Sequence, residues 1–488
     1  MKMTYLRGLL VVSAAASTVF GQSSNYETCL RDALAEGGSV AFPDALLYQA
    51  VDVNRYNLNI PVTPAAVTFP TSSKQVASIV KCASDNGYRV QARSGGHSYG
   101  NYGLGGTDGA IVVDMKNFQQ FSMNYTTWHA TIGAGTLLKD ITTRLYNAGK
   151  RAMAHGTSPQ IGAGGHFTIG GLGPLSRQYG MALDHTLEVE VVLANGTIVR
   201  TSEDENPDVF WAIRGAGSGF GIVTEFIVRT EPAPGSAVQY EFTFSIGDAQ
   251  SQAALYKQWQ AYVSNPDLTW KLASTLWVLQ DVMIISGTYF GTKAEYDALD
   301  IGGQFPGATN SSAIVFEDFL GLVAEWGEEV LLKLTGGIPS NFYAKSAAWT
   351  PQDLMSDESI DQFFEYVETA NKGTLVWLLV FDFEGGFTNQ VDVDATAYPH
   401  RNVLIWLQTY AINLLGRITP TTIKFLEELN QLANTDSPYE AYPGYVDPLL
   451  QNGPQAYWGS NLPRLERIKA EIDPNNVFRN PQSPQPAT

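Results

Sequence analysis

Apolar and polar positions follow two kinds of pattern along the first part of the chain. Residues 65–69 and 88–92 are short segments of the length that predicts β-strands. Between them, Ser72 and Gln75 have the spacing of a capping box, and the apolar positions that follow repeat at helical intervals. Residues 110–114 predict a further strand. This part of the chain therefore predicts strands that alternate with a helix.

The same kind of pattern continues to about residue 201. Residues 127–132 predict a strand, and residues 137–148 an amphipathic helix. Residues 187–193 and 198–201 flank Asn195-Gly196, a dipeptide typical of a tight β-hairpin. Together these elements predict an α+β unit with mixed strands.

The pattern changes after residues 231–235, which are rich in proline and glycine. Beyond this segment, residues 240–245 and 282–289 predict strands, and residues 249–263 predict a helix. This arrangement favours an antiparallel sheet with helices packed on it. The sequence contains no internal repeat and no low-complexity tract.

Three glycine-rich loops interrupt the regular elements, at residues 93–106, 154–166 and 214–221. Glycine leaves backbone N–H groups uncovered and allows conformations closed to other residues, which suits a loop around a phosphate or a ring. His97 lies inside the first loop. A lone histidine is more often a packing residue, but three loops of this kind favour a binding site. No strict G-x-G-x-x-G after a strand and no P-loop motif is found, so neither nucleotide fold is supported.

The composition excludes several classes of protein. Of the 488 residues, 44% are apolar and 16% charged, which is typical of a globular protein. The length favours two or three domains or one large interleaved unit. The formal net charge of −18 argues against nucleic acid or an anionic membrane as a partner, because such binding depends on neutralising phosphates. A neutral ligand fits better.

The first 22 residues have the form of a secretory signal peptide. Lys2 and Arg7 precede an apolar run at residues 9–20, and Gly21 marks the expected cleavage site. The run is too short to span a membrane, and no later segment resembles a transmembrane helix. We therefore expect a secreted, extracellular protein.

The cysteines and the sequons agree with that expectation. Cys29 and Cys82 are the two cysteines, and an oxidising compartment favours a single disulfide between them. Asn124, Asn195 and Asn310 begin N-x-[ST] sequons and are the expected glycosylation sites.

Four stretches of the sequence carry a more specific pattern. They are RSGGHSYG, GTSPQIGAGGH, GAGSGFGIVTEF and the C-terminal YWGSNLPRLERIKAEIDPNNVFRNPQS. Together they resemble the berberine-bridge-enzyme-like flavoproteins of the vanillyl-alcohol-oxidase superfamily. Within that family the chain is most similar to the fungal oligosaccharide oxidases and dehydrogenases, and the resemblance covers about residues 51–484.

This resemblance implies an α+β fold with a two-part FAD-binding domain and a substrate domain, the latter an antiparallel sheet covered by helices. The implied boundaries are a signal peptide at 1–21, the first part of the FAD-binding domain at 22–235, the substrate domain at 236–437 and the C-terminal return of the FAD-binding domain at 438–488.

By the same resemblance, His97 is the residue whose imidazole is joined to the 8α carbon of FAD. Relatives with a second, cysteinyl link have cysteine where this chain has Ser158. A thiol supplies some thiolate near neutrality, whereas a serine hydroxyl has no comparable anionic form. We therefore expect a single covalent link, which leaves open whether O2 or another acceptor takes the electrons.

Two residues correspond to the family's catalytic pair. Tyr445, in YPGYVD, matches the tyrosine that takes the substrate's hydroxyl proton, and Asp382, in VFDFEGG, matches the aspartate that assists it. A free phenol titrates near 10, so Tyr445 needs help from its surroundings. Packing tyrosines and a solvated carboxylate at a strand end are the alternative interpretation.

The substrate residues are less well matched. Tyr99 and Gln408 correspond to residues that approach the sugar. Leu378 and Val380 stand where relatives active on cello-oligosaccharides have tryptophan and glutamine, which weakens any claim about a particular sugar. Trp377 is a poor substitute, because neighbouring residues on a strand face opposite sides.

The remaining residues implied to contact FAD come from the glycine loops and the C-terminus. They are Arg93, Ser94, Gly95, Gly96, Ser98, Gly133, Gly135, Gly156, Thr157, Ser158, Gly162, Gly165, Gly171, Val223 and Asn480. No metal site is expected, because His155 and His166 have no carboxylate or cysteine at a recognised ligand spacing, and a packing role fits them better.

The resulting hypothesis is a secreted FAD enzyme that oxidises the reducing-end C1 hydroxyl of an oligosaccharide to a lactone. Hydride goes to flavin N5, and electrons pass to O2, with H2O2 formed, or to another acceptor. The alternatives are oxidation of a secondary metabolite or other alcohol by the same fold, a catalytically idle carbohydrate-binding protein, and a serine hydrolase using Ser158, for which no G-x-S-x-G exists. The sugar, the acceptor and the oligomeric state stay open, with a monomer as the expectation.

Overall fold

The computed structural model describes residues 25–328, 338–436 and 439–487. The expected signal peptide and the predicted boundary at residue 438 lie outside these residues. The helices within them are α1 (Asn25–Ala33), α2 (Ser73–Asp85), α3 (Leu138–Gly149), α4 (Ala163–Ile169), α5 (Ser176–Tyr179), α6 (Pro207–Ala216), α7 (Ala249–Val263), α8 (Lys293–Asp297), α9 (Ile301–Gln304), α10 (Phe319–Glu328), α11 (Asp357–Thr369), α12 (Pro420–Ala433), α13 (Gly453–Trp458) and α14 (Leu462–Ile472).

The first sheet is mixed, as predicted. Its strands are β1 (Ser39–Ala41), β2 (Ala66–Phe69), β3 (Val90–Arg93) and β4 (Ile111–Asp114), in the order β1-β2-β4-β3. Strands β2, β4 and β3 are parallel, and α2 connects β2 to β3.

The predicted capping box at the start of α2 forms only in half. Ser72 accepts a hydrogen bond from the Gln75 N–H, as expected. The Gln75 side chain instead accepts from the Thr71 N–H and donates to the Glu36 carbonyl. A long-range contact with the chain before β1 thus wins over the local one.

The strands that follow are β5 (Phe121–Asn124), β6 (His129–Gly133), β7 (Arg151–Ala152), β8 (Thr186–Val192), β9 (Ile198–Ser202), β10 (Ile222–Arg229) and β11 (Glu231–Pro232). Five of them form an antiparallel sheet in the order β5-β6-β10-β8-β9, and β7 pairs with β11. The predicted hairpin joins β8 to β9, and Gly196 takes a φ of +80° in its turn. Such a φ favours glycine.

The third sheet is the predicted antiparallel sheet, and its role as a substrate domain stays a prediction. Its strands are β12 (Ala237–Phe244), β13 (Thr275–Val278), β14 (Met283–Tyr289), β15 (Asn310–Phe316), β16 (Asn341–Trp349), β17 (Val376–Phe383) and β18 (Ile405–Asn413), all antiparallel in the order β15-β12-β14-β13-β17-β18-β16. Helices α7, α11 and α12 bury one face of this sheet in a large apolar core. The fold is therefore α+β, with the predicted helix-covered antiparallel sheet.

Two further expectations have a structural counterpart. Cys29 and Cys82 form the predicted disulfide, which joins α1 to α2. The side chains of Asn124, Asn195 and Asn310 are exposed, so all three sequons are accessible. In the described part of the chain, no helix combines the length and the apolar character needed to cross a membrane.

Candidate active site

A cavity of about 410 Å³ lies where the glycine-rich loops meet the open face of the third sheet. Loops far apart in sequence form one wall, and residues of β13, β14, β17 and β18 contribute to the other. The predicted site residues that line it are Arg93, Ser94, Gly95, Gly96, His97, Ser98, Tyr99, Gly156, Thr157, Ser158, Gly162, Gly165, Val223, Asp382, Gln408, Tyr445 and Asn480.

Three predicted cofactor residues, Gly133, Gly135 and Gly171, do not line the cavity. A Cβ at Gly133 or Gly135 would collide with the backbone of residues 115–118, and the Gly171 N–H donates to the Tyr442 hydroxyl. These glycines pack behind the wall, and their contact with a cofactor stays a prediction.

The first two glycine loops touch each other at Gly95 and Gly162. A Cβ on either residue would collide with backbone atoms of the other loop, so both positions require glycine. The Ser94 hydroxyl donates to the Ala134 carbonyl at 2.6 Å and fastens the loop from below. Gly95 and Gly162 have no side chain, so at these positions the backbone itself lines the cavity.

The Arg93 side chain is hydrogen-bonded to other segments of the fold. Its buried guanidinium donates to Asp114 Oδ2 at 2.7 Å and to the carbonyl groups of Asp52 and Val53. Its charge is therefore neutralised within the fold. An anion at this loop would be met by backbone N–H groups.

His97 lies at one end of a stack of aromatic rings. Its ring stacks on Tyr56, with 4.7 Å between the ring centroids, and Tyr56 in turn stacks on Tyr99. Burial lowers the pKa of His97 to about 4. The imidazole is neutral near pH 7, so it keeps a ring nitrogen with a free lone pair, which is the nucleophilic form.

His155 and His166 have the packing role expected of them. The Gly156 N–H donates to His166 Nε2 at 2.9 Å, and His155 Nε2 lies 2.7 Å from the Thr142 hydroxyl. Burial lowers the pKa of His166 to about 3, so it acts as a neutral acceptor. Throughout the described residues, no group of three side chains could hold a metal ion.

Asp382 and Tyr445 face the same cavity from different segments. Burial raises the pKa of Asp382 to about 6, and a 3.0 Å hydrogen bond from the Thr275 hydroxyl to Oδ1 lowers it in part. Burial, followed by the charge of Asp382, raises the pKa of Tyr445 well above 10. The phenol alone is therefore a poor base, and Asp382 is the group able to take a proton near neutrality.

Tyr99 links this pair to the predicted substrate side. It stacks on Tyr445 with 6.0 Å between centroids, and its hydroxyl accepts a 2.8 Å hydrogen bond from Gln408 Nε2. The two predicted substrate residues are thus in direct contact, although 309 positions separate them.

Leu378 and Val380, the two positions that depart from the cello-oligosaccharide pattern, belong to one apolar cluster. Leu378 is buried among Tyr56, Phe342 and Tyr410, and Val380 lines the cavity. Trp377 packs against Phe425 on the helix-covered face of the sheet, as its place on the strand predicts.

Sequence reasoning missed two residues that belong to this site. Tyr56 lies before the first glycine loop and carries no motif, so its stacking on His97 had no local signal. Glu384 lines the cavity two residues after Asp382. Strand alternation from Asp382 could have found it, because residues two apart face the same side.

Comparison with known proteins places this geometry in a family. Residues 64–202 match an FAD binding domain, and residues 441–484 match the berberine and berberine-like family. The chain is 38% identical to the FAD-linked oxidoreductase sorD of Penicillium rubens, over 95% of this chain and 99% of that protein. It is 33% identical to a chitooligosaccharide oxidase of Gibberella zeae, over 89% and 90% of the two chains.

Solved structures agree with these relatives. A chitooligosaccharide oxidase superposes with a TM-score of 0.87 at 30% identity, covering 95% of this chain and all of that one. A xylooligosaccharide oxidase from Myceliophthora thermophila, in complex with xylobiose, gives a TM-score of 0.87 at 29% identity, with the same coverage.

The residues present fit FAD. Gly95, Gly96 and Gly162 line the cavity without a side chain and so leave backbone groups open to a ligand, and the neutral His97 lines the same cavity. The far end of the cavity reaches Gln91, Ser218 and Asn480, which gives an extended ligand room beyond its ring system.

Proposed function

Because the chain belongs to the berberine-bridge-like family of FAD-linked oxidoreductases, we propose that it oxidises the reducing-end C1 hydroxyl of an oligosaccharide to a lactone. The observation that carries the proposal is the cavity that contains both the Asp382–Tyr445 pair and His97. A proton acceptor and a cofactor attachment point thus face one ligand space.

The cofactor is held by the glycine loops and attached through His97. The chemistry that FAD supplies when bound is two-electron acceptance, with a hydride taken at N5 and the electrons passed to O2 or to another acceptor. The neutral His97 ring supports the attachment, since its free nitrogen can add to the flavin's 8α position. Ser158 lines the cavity but has no thiol, so one covalent link is proposed.

Tyr445 and Asp382 accept the proton of the substrate hydroxyl in turn. Tyr445 contacts the C1 hydroxyl, takes up the hydroxyl proton and passes the phenol proton to Asp382. Burial raises the pKa of Asp382 to about 6, so this carboxylate can be protonated near neutral pH. A phenol with a raised pKa holds its own proton firmly, so the transfer requires the carboxylate as final acceptor.

The Tyr99–Gln408 pair supplies sugar contacts. The Gln408 amide fixes the Tyr99 hydroxyl, so the Tyr99 ring keeps one orientation beside Tyr445. An oriented aromatic face next to polar groups suits a sugar ring, which has both C–H and O–H faces. Relatives named as gluco-, chito- and xylooligosaccharide oxidases support this substrate class.

A second candidate substrate is a less polar alcohol, such as a secondary metabolite. The apolar pair Leu378 and Val380 favours it. In either case the protein is proposed to be secreted and glycosylated, which the exposed sequons and the disulfide support.

Anaerobic titration of the purified holoprotein tests the proposal. Cellobiose, xylobiose, chitobiose and lactose are added in turn while the flavin spectrum is recorded, and air is then admitted. Bleaching by one sugar is expected, and the speed of recovery separates an oxidase from a dehydrogenase. If no sugar bleaches the flavin while an apolar alcohol does, the second candidate replaces the first.

A further inference from the structure

Glu384 is a buried carboxyl group that the proposed mechanism does not use. It is 5% exposed, and it lines the cavity. Its N–H donates to the Leu404 carbonyl, so the pairing of β17 with the segment before β18 continues through it. Because residues two apart on a strand face the same side, Glu384 extends the row formed by Val380 and Asp382.

No partner in the described chain neutralises this carboxyl. Its Oε2 atom is buried without a hydrogen bond, and no cation forms an ion pair with it. Arg177 is the nearest candidate, but its guanidinium donates to the carbonyl groups of Leu272 and Glu384 and lies over the Phe383 ring at 3.6 Å. Arg177 therefore fixes the backbone here, and its charge favours the ionised form of Glu384 without a hydrogen bond to the carboxyl.

The groups around Glu384 are mostly acidic or phenolic. Asp382 faces it along its own strand, Tyr398 from the segment before β18, and Tyr442 and Tyr445 from the segment after α12. The cationic group is Arg177, from α5. Two carboxylates beside a single cation whose hydrogen bonds go to carbonyl groups are costly in one buried site, so one of them keeps a proton.

The hydrogen bonds decide which carboxyl keeps it. Thr275 donates to Asp382 Oδ1 at 3.0 Å and favours the ionised form, whereas the buried Oε2 atom of Glu384 receives no donor from the described residues. We propose that Asp382 and Glu384 share one proton in the resting enzyme, with Asp382 ionised as the base and Glu384 protonated as a neutral positioning residue.

This assignment gives Glu384 a defined effect on catalysis, which rests on the proposed function. While Glu384 is neutral, Asp382 carries the one charge of the pair and can accept the substrate proton. Loss of the Glu384 proton at alkaline pH places another negative charge near Tyr445 and makes that phenol harder to deprotonate. The wild-type rate should therefore fall at alkaline pH.

Infrared difference spectroscopy tests the shared proton without any substrate. At neutral pH, the holoenzyme should show the carbonyl band of a protonated carboxylic acid, and Glu384→Gln should lack it. Glu365→Gln, at an exposed position of α11, is the matched control and should keep the band. Absence of the band in the wild type, or its loss in Asp382→Asn but not in Glu384→Gln, would overturn the proposal.

The pH profile of anaerobic flavin reduction tests the effect on catalysis. Glu384→Gln imitates the protonated form, so its pH profile, scaled to its own maximum, should lack the alkaline decline seen in the wild type. Asp382→Asn should be slower by about 10²-fold or more, since it removes the base. A loss in Glu384→Gln as large as that in Asp382→Asn would contradict a neutral role. If no alcohol reduces the flavin, the proposed function fails. The infrared result still decides whether Glu384 is protonated.

Discussion

The hydroxyl group of Thr275 on β13 donates a 3.0 Å hydrogen bond to Asp382 Oδ1 on the neighbouring strand β17. The two residues are directly opposite each other in the ladder, so the sheet itself sets the contact. A donor held in this way stabilises the charged carboxylate in a site where burial disfavours it.

Thr275→Val should move the acidic limb of flavin reduction to higher pH. The hydrogen bond lowers the pKa of Asp382, so its removal raises that pKa above about 6, and less of the base is ionised at a given pH. The change is worth about 1.5 to 3 kcal/mol for a hydrogen bond to a charged group. Rates of anaerobic reduction across pH measure it, and an unchanged acidic limb would show that Asp382 is not the titrating base.

Asp382→Asn should stabilise the protein at alkaline pH while it lowers activity. Burial raises the pKa of Asp382 from 3.8 to about 6, so the folded state binds its proton more tightly than the unfolded chain does. The stability that this carboxyl provides is present below about pH 4 and is lost as pH rises through about 6.

Removing the charge should recover up to about 3 kcal/mol of unfolding free energy. Denaturant unfolding of both proteins at pH 4 and pH 8 checks this. If Asp382→Asn changed the unfolding free energy equally at pH 4 and pH 8, the pKa of Asp382 would be the same in the folded and unfolded states.

His97→Ala should abolish covalent flavin attachment. Flavin should stay with the acid-unfolded wild type as one added mass of FAD and be released from the variant. Because burial keeps the pKa of His97 at about 4, attachment to the apoprotein should proceed at similar rates between pH 6 and pH 8. Mass spectrometry reads both results. Flavin that resists extraction from His97→Ala would place the link elsewhere, with Ser158→Ala as the next variant to examine.

Gly162→Ala should prevent the two glycine loops from closing. Its Cβ would collide with the Gly95 nitrogen and the Ser94 side chain, so we expect a protein that expresses poorly or without flavin. Gly235→Ala is the control, because its Cβ would meet no atom within 4 Å and Gly235 does not line the cavity. Flavin absorbance per protein measures the effect. Equal flavin content in both variants would show that the loops can separate.

Gln408→Ala should weaken substrate binding more than it slows chemistry. The amide donates a hydrogen bond to the Tyr99 hydroxyl at 2.8 Å and so orients a predicted substrate residue. Loss of one such hydrogen bond costs about 1 kcal/mol, which corresponds to a roughly fivefold higher KM. Tyr99→Phe should give a similar effect. A fall in kcat at unchanged KM would assign Gln408 to the transition state.

Local sequence determined the elements and the loop chemistry. The strand and helix patterns, the hairpin at Asn195-Gly196 and the glycine-rich loop around His97 depend on neighbours within a few residues, and the structure contains each of them. The capping box at Ser72 is the exception, because a contact of Gln75 with Glu36 competes with it. Family motifs named Asp382 and Tyr445, although their roles stay predictions.

Tertiary structure decided the properties that make those residues reactive. Thr275 meets Asp382 across 107 residues and Gln408 meets Tyr99 across 309, so no local pattern could reveal either contact. The pKa values of Asp382 and His97 depend on burial by distant segments. The sequence alone thus determined which chemical groups exist and which local conformations hold them. Only the folded chain decided which groups share one dry cavity, because desolvation and close contact arise when separate segments pack together.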